Sequence, residues 1–147
     1  MPDYAGSATA VIDASAQEVY ELMLRYEQVP EWMRSVRSTR VLSRDAEGRA
    51  EEVAYELDVR VGVVRYTLRH RYEPPERIAS VYVEGDFKDC DGQWTFRDRG
   101  DGTTEACFEL QIDPGRSIPR PVVKMLGSRV MKGSVEDLRR HFAGAKR

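Results

Sequence analysis

The sequence contains no asparagine and only two cysteines in 147 residues. Without asparagine there is no acceptor for N-linked glycosylation. There is also no CxxC or HExxH motif and no cluster of histidine and cysteine, so neither a zinc site nor another metal site is expected. The strand pattern places Cys90 and Cys107 on opposite faces of neighbouring strands, where a disulfide cannot easily form. We therefore expect two free thiols in a reducing compartment and no cofactor.

Two further classes of protein are disfavoured by what the chain lacks. Basic residues are scattered and the formal net charge is −2, so no basic stripe predicts nucleic-acid binding. No apolar run approaches the ~18 residues of a membrane span, and the N-terminus lacks the regions of a signal peptide. A cytoplasmic protein without stable membrane insertion is expected. With 41% hydrophobic and 33% charged residues, the composition is typical of one globular domain covering residues 1–147.

The longest predicted element is an amphipathic helix from about Pro119 to Ala143. Two prolines near its start suit the first helical turn, where a missing N–H does no harm. Apolar residues recur at intervals of three and four, which places them on one broad face of the helix. They are Val122, Val123, Leu126, Val130, Met131, Val135, Leu138 and Phe142.

Two small residues, Gly127 and Ser134, fall near the middle of this apolar face. Protein interiors are packed as densely as organic crystals, so a helix that closes a solid core is expected to carry large side chains there. Small residues leave room, which predicts a cavity shared by the helix and the surface it covers. In the alternative interpretation, the two small residues let a strand or another helix approach closely.

The rest of the chain predicts one strand, two short helices and then about six antiparallel strands. Ser15 and Glu18 form a capping box at the start of the first short helix, and Pro30 suits the start of the second. The later strands alternate apolar and charged residues, so we expect one face of the sheet to be exposed to solvent and the other to be buried. Since just one long helix can cover it, the α+β fold is predicted to be a strongly bent sheet of about seven strands around that helix. The predicted strands are 7–12, 36–43, 51–59, 64–72, 78–84, 90–98 and 103–112.

Two segments carry a resemblance to a known family. Residues 26–42 and 83–98 resemble the START-like, helix-grip (SRPBCC) superfamily of polyketide cyclases/dehydrases and lipid-transport proteins, near its coenzyme Q-binding and RatA-type branch. Met33 and Arg34 depart from the aromatic residue or proline that this branch often carries after position 32. The resemblance implies the helix-grip fold and a cavity for lipids, quinones, sterols or polyketides. Its pattern of glycine and aromatic residues here is Gly85, Phe87, Gly92, Trp94 and Phe96.

The predicted ligand-binding residues line the space between sheet and helix. Three tyrosines on adjacent strands would give an apolar wall with hydroxyl groups, which suits a hydrophobic molecule with one or two oxygens. In the alternative interpretation, each tyrosine fills the core and its hydroxyl reaches the rim. The full set is Tyr55, Leu57, Tyr66, Leu68, Tyr82, Trp94, Phe108, Leu110, Leu126, Gly127, Val130, Met131 and Ser134.

Four of the residues predicted to face inward could act as acid or base if the protein is an enzyme: Tyr66, His70, Tyr82 and Glu84. His70 could be a general base with a tunable pKa. Because it lies near a strand end, a half-exposed histidine is the simpler interpretation. Glu84 could be a buried acid with a raised pKa, although a solvated loop carboxylate is the simpler interpretation there.

Three functions follow as hypotheses. The first is non-enzymatic binding or transport of a hydrophobic small molecule such as a lipid, a quinone or a polyketide-like compound. The alternative is a polyketide cyclase or dehydratase that folds its substrate into reactive proximity. The second alternative is a RatA-like factor that binds a macromolecule, but a basic face or large apolar patch is not apparent in the sequence.

Overall fold

Seven antiparallel strands form the central sheet of the computed structural model. The structure describes residues 4–60, 62–116 and 118–145. Within these ranges, the side chains of residues 4, 127, 128, 144 and 145 are not described. The strands follow the order β1-β7-β6-β5-β4-β3-β2, so β2 to β7 form a meander and β1 returns to pair with β7. Short connections between antiparallel neighbours explain this order. The strands are β1 Tyr4–Ile12, β2 Val36–Arg44, β3 Ala50–Asp58, β4 Val63–Glu73, β5 Arg77–Gly85, β6 Asp89–Asp98 and β7 Thr104–Asp113.

Helices occur at two places in the chain. After β1 come α1, Ala16–Met23, a 3-10 turn, Tyr26–Gln28, and α2, Val29–Trp32. After β7 the C-terminal helix begins with α3, Arg120–Met125, continues through a π-helical segment, Leu126–Lys132, and ends with α4, Gly133–Ala145. The predicted extent of this helix is confirmed. Its π-helical segment, in which each turn is wider than in an α-helix, has no signal in the periodicity.

The C-terminal helix packs against one face of the sheet and contacts β1 and β7. Its predicted apolar face is inward: Val122, Leu126, Val130, Met131, Val135 and Leu138 are buried. Register shifts interrupt the β2–β3 and β4–β5 pairings, and such bulges bend a sheet and increase its twist. The predicted α+β helix-grip architecture, with two short helices after the first strand, is confirmed.

Local sequence signals explain the start of α1 and the outer face of the sheet. The Ser15 hydroxyl accepts a hydrogen bond from the Glu18 amide at 3.1 Å, and the Glu18 carboxylate accepts one from the Ser15 amide at 3.1 Å. This is the predicted capping box. On the outer face, ion pairs join β3 to β4, and they are Arg65–Glu56 and Arg69–Glu52, each at 2.6 Å.

Both cysteines are free, with Cys90 buried and Cys107 partly buried, as the strand pattern predicts. None of the helices in the described part of the chain is both long and apolar enough to span a membrane.

Candidate functional site

A mainly apolar cavity lies between the sheet and the C-terminal helix. The space open to the centre of a water molecule is about 80 Å³. A single water needs only about 10–15 Å³ of such space, so this cavity exceeds a packing defect. This space lies beneath the C-terminal helix, where the sequence predicts a cavity.

Most of the residues predicted to bind a ligand surround this cavity. They come from β3, β4, β6 and β7 on the sheet side and from the C-terminal helix on the other. Alternation along each strand points every second side chain inward, which explains why residues two apart recur in the set. The predicted residues that line the cavity are Tyr55, Leu57, Tyr66, Leu68, Trp94, Phe108, Leu110, Leu126, Val130 and Ser134.

Two predicted residues do not line the cavity, and a third lies outside the residues whose side chains the structure describes. Met131 is buried, 1% exposed, but does not line the cavity. Tyr82 is partly buried, and its hydroxyl donates to the Phe87 carbonyl at 2.6 Å, so it holds the β5–β6 turn instead of facing the cavity. Gly127 lies outside the residues whose side-chain surroundings the structure describes.

Further lining residues were not in the predicted ligand-binding set. Tyr26 and Val29 belong to the short helices after β1, Met33 directly follows α2, and Phe87 lies in the β5–β6 turn. The spacing of Tyr26, Val29 and Met33, three and four residues apart, continues the apolar face of a helix and was an available signal. The others are Met23, Val36, Ile78, Ser80, Cys90 and Ile112.

His70 is buried at the cavity wall, 8% exposed, so the interpretation as a half-exposed histidine is wrong. Its Nε2 atom lies 2.7 Å from the Tyr55 hydroxyl oxygen, and its ring stacks on that of Tyr26 with 4.9 Å between centroids. Burial lowers the pKa of His70 from 6.5 to about 4. The imidazole is therefore neutral at pH 7.

Tyrosine hydroxyls form a second polar cluster beside His70. The Tyr72 hydroxyl lies 2.6 Å from the Ala50 carbonyl oxygen and 3.0 Å from the Tyr26 hydroxyl. The hydroxyl of Tyr72 carries only one proton, so it donates to the Ala50 carbonyl and accepts a hydrogen bond from the Tyr26 hydroxyl. This arrangement gives both hydroxyls a partner. Burial raises the pKa of Tyr26 and of Tyr55 well above 10. These phenols stay protonated and can donate hydrogen bonds.

Two buried polar atoms on the cavity wall have no hydrogen-bond partner among the described residues. They are His70 Nδ1 and Ser134 Oγ, and Ser134 is only 1% exposed. Most buried polar atoms in folded proteins are paired, and an unpaired one costs about 1–3 kcal/mol. Both atoms belong to residues that line the cavity.

Of the candidate acid/base residues, Tyr66 and His70 line the cavity, while Tyr82 and Glu84 do not. The prediction that Glu84 faces inward is wrong, because this carboxylate is exposed. A register shift between Thr67 and Leu68 leaves Glu84 opposite Thr67 and Tyr82 opposite Leu68. The bulge thus changes the face on which Glu84 lies.

Hydrogen bonds fix the C-terminal helix to two neighbouring parts of the chain. Asp137, 5% exposed, accepts hydrogen bonds from the Arg34 backbone N–H at 2.9 Å and from its Nε at 3.0 Å. The Arg129 Nε donates to the Asp58 carbonyl at 2.8 Å. These contacts join the helix to the loop before β2 and to the end of β3.

Burial of neutral His70 predicts a pH-dependent stability. In the unfolded chain this imidazole takes up a proton near pH 6.5, whereas in the folded protein it does so only near pH 4. Stability is therefore lost as the pH falls from about 6.5 to about 4, by about 3 kcal/mol. The free energy of unfolding of a His70→Gln variant, measured by urea titration across this range, is expected to lack this loss.

The exposed histidine provides the matched control for that experiment. His141 lies on the exposed side of the C-terminal helix, so a His141→Gln variant should keep the pH dependence of the wild type. Equal slopes for wild type and the His70→Gln variant between pH 6.5 and pH 4 would contradict the assigned burial of a neutral imidazole.

Comparison with known protein families agrees with this architecture. Residues 12–139 match the sequence profile described as polyketide cyclase / dehydrase and lipid transport. The match does not single out the coenzyme Q-binding or RatA-type branch. No curated protein sequence matches the chain significantly.

Several solved structures share the fold. A START superfamily protein from Mycobacterium smegmatis superposes with a TM-score of 0.85 at 18% identity, covering 96% of this chain and 98% of its own. The protein TTHA0849 from Thermus thermophilus gives 0.83 at 20% identity, covering 98% and 100%. The ZhuI aromatase/cyclase from a Streptomyces species gives 0.78 at 18% identity, covering 98% and 94%. At these identities the similarity establishes the fold alone.

Proposed function

Because this chain belongs to the polyketide cyclase/dehydrase and lipid transport family, we propose that its cavity binds or transports a hydrophobic small molecule. The candidate ligands are lipids, quinones and polyketide-like compounds. The observation that carries the proposal is an apolar cavity with two buried polar atoms that lack partners among the described residues, His70 Nδ1 and Ser134 Oγ. Small-molecule sites combine an apolar wall with a few polar groups in this way.

The energetics favour an apolar occupant over water. Apolar contact contributes about 25 cal/mol for each Å² removed from water, and most of the cavity wall consists of aliphatic and aromatic side chains. A water molecule needs two to four polar partners to be stable in a cavity. Two polar atoms are enough for one small polar group, and the rest of the cavity wall offers a water molecule few partners.

A neutral fluorescent probe tests this function. N-phenyl-1-naphthylamine fluoresces strongly in apolar surroundings, and we expect saturable binding at one molecule per chain. Native mass spectrometry of the same sample should show one added probe mass, or a co-purified molecule that organic extraction removes. Fluorescence that rises linearly without saturation, together with bare protein in the mass spectrum, would contradict the proposal.

A second candidate function is catalysis of a cyclisation or dehydration, which the placement of His70 favours. A neutral imidazole beside a phenol, with 2.7 Å between His70 Nε2 and the Tyr55 oxygen, can exchange a proton with a bound substrate. A pKa of about 4 makes this imidazole a weak base at pH 7, and efficient general bases have pKa values near the working pH. Binding is therefore the better supported function.

Turnover of a poly-β-ketone substrate separates the two functions. An enzyme would form cyclised product with the wild type, and the His70→Gln variant would lose most of that rate, typically 10²–10⁴-fold or so for a general acid or base. A carrier would bind the substrate and return it unchanged. A rate that survives in the variant would remove His70 from the catalytic role.

A further inference from the structure

A second pocket lies at the surface, where the C-terminal helix meets the loop before β2 and the hairpin between β3 and β4. Its charged lining residues are Arg34, Arg60, Arg129 and Asp137, and no described residue lines both this pocket and the cavity. The space open to the centre of a water molecule is about 240 Å³. Three guanidinium groups from three separate segments of the chain therefore surround one space.

Two of these arginines are held in place by neighbouring groups. Arg34 Nε and Nη2 each lie 3.0 Å from Asp137 Oδ1, so Arg34 pairs with the buried acid of the pocket. Arg129 Nε donates to the Asp58 carbonyl at 2.8 Å, which leaves its two Nη groups without a partner among the described residues. A side chain that is already fixed loses little freedom when it binds a ligand.

Arg60 supplies a guanidinium group that forms no hydrogen bond or ion pair with another described residue. Its backbone adopts φ +71°, a left-handed conformation that is uncommon for residues other than glycine. The Arg60 N–H donates to the Asp58 carboxylate at 2.9 Å, which fixes the backbone at this position. The guanidinium of Arg60 is thus available to a ligand in the pocket.

The charges that line the pocket do not balance. Three guanidinium groups face one carboxylate, and the Asp58 carboxylate beside Arg60 reduces the positive excess without removing it. Like charges around one space repel each other unless an anion lies between them. A phosphate monoester carries a charge of about −1.5 to −2 at pH 7. Its oxygens also suit the guanidinium group, which can donate two parallel hydrogen bonds.

The helix side of the pocket leaves room for such an anion. Gly133 lines the pocket, and nothing lies within 4 Å of the Cβ atom that another residue would carry there. Arg129 belongs to the π-helical segment Leu126–Lys132, and π-helical turns occur frequently at functional sites. The wall opposite the arginines is therefore open at Gly133.

We propose that this pocket binds a phosphate monoester group, either on a soluble molecule or on the headgroup of a lipid. Arg60 and the Nη groups of Arg129 donate hydrogen bonds to the phosphate oxygens, and Arg34, held by Asp137, adds positive charge beside them. The site is separate from the cavity and does not depend on what the cavity binds.

Calorimetric titration with glycerol 3-phosphate at pH 8 and constant ionic strength tests this site. We expect saturable binding at one molecule per chain. The Arg60→Gln variant should bind about tenfold more weakly, because it loses a hydrogen bond between charged groups. The matched control is Arg25→Gln, which removes the same charge from an exposed residue outside the pocket. It should bind within about twofold of the wild type, since salt screens distant charges.

Two substitutions of Gly133 test the location of the phosphate group. The Gly133→Glu variant adds a carboxylate at the pocket and should bind at least about tenfold more weakly than Gly133→Gln. Glutamine has nearly the same shape and no charge, so the comparison isolates the electrostatic effect. Equal affinities of these two variants would place the ligand elsewhere and overturn the proposal.

Vesicles distinguish the two sources of the phosphate group. Phosphatidylcholine vesicles containing phosphatidate are compared with vesicles containing phosphatidylserine at equal surface charge. Stronger sedimentation with phosphatidate, reversed by glycerol 3-phosphate, would assign a lipid headgroup, whereas binding of glycerol 3-phosphate alone would assign a soluble ester. Absence of saturable binding in both assays, or equal affinity of the wild type and the Arg60→Gln variant, would overturn the proposal. Neither result would affect the binding function of the cavity.

Discussion

The Ser134→Leu variant is expected to remain folded and to lose probe binding by at least about 100-fold. Ser134 lies in α4 with its side chain in the cavity, and it is 1% exposed. A leucine there places extra carbon atoms into the space that a ligand needs. It also removes a buried hydroxyl without a partner among the described residues, so the ligand-free protein should lose little stability.

Competition titration and urea unfolding measure the two parts of this prediction. The control is Lys132→Leu, which puts the same side chain on the exposed side of the C-terminal helix, and it should bind the probe like the wild type. Normal binding by the Ser134→Leu variant would show that the ligand does not occupy the space beneath the helix. Unfolding of this variant would show that the space is too small to hold a leucine side chain.

The Gly85→Ala variant is expected to lose about 3 kcal/mol or more of stability. Gly85 has φ +141°, and a Cβ atom at this position would lie 2.4 Å from Tyr66 Cα and 2.5 Å from the Arg65 carbonyl oxygen. Backbone atoms cannot move aside as a flexible side chain can. The approach is fixed by hydrogen bonds from the Asp86 N–H to the Arg65 carbonyl at 2.8 Å and from the Arg65 N–H to the Asp86 carboxylate at 2.7 Å.

A second glycine separates the steric clash from backbone strain. Gly48 has φ +82° and nothing within 4 Å of an added Cβ, so Gly48→Ala should cost only about 1 kcal/mol. Urea unfolding of both variants gives the comparison. Equal losses would contradict the assigned contact between Gly85 and β4. Because Tyr66 lines the cavity, the Gly85→Ala variant should also bind the probe more weakly.

The C-terminal helix illustrates what periodicity alone could predict. Residues spaced three and four apart predict its apolar face and the position of Ser134 at the centre of that face. The small size of Gly127 and Ser134 predicts the cavity. The π-helical segment Leu126–Lys132 could not be predicted in this way, because a change in the width of the helical turn depends on tertiary packing.

The structure gives the physical reason for the glycine and aromatic pattern. Gly85 permits contact with the backbone of β4, and a Cβ on Gly92 would lie 3.0 Å from the Glu109 carbonyl oxygen on β7. Trp94 and Phe108 are cross-strand partners, and their rings stack in parallel on the cavity wall. Which strands approach so closely depends on the pairing of residues distant in sequence.

The error at Glu84 arises because alternation gives the face of a residue only while the register is regular. The register shift between Thr67 and Leu68 places Glu84 on the outer face, and Val81 and Val83 in the same strand are 48% and 40% exposed. The position of His70 near the end of β4 predicts a half-exposed side chain. In the structure, the rings of Tyr26 and Tyr72 pack against its imidazole.

The location of a bound ligand tests the central claim most directly. A crystal structure of the protein with 6-bromo-2-acetylnaphthalene, measured at the bromine absorption edge, gives the position of the ligand from its anomalous signal. We expect one peak between the sheet and the C-terminal helix. A peak confined to the outer surface of the sheet, with the cavity still empty at saturating ligand, would contradict the account.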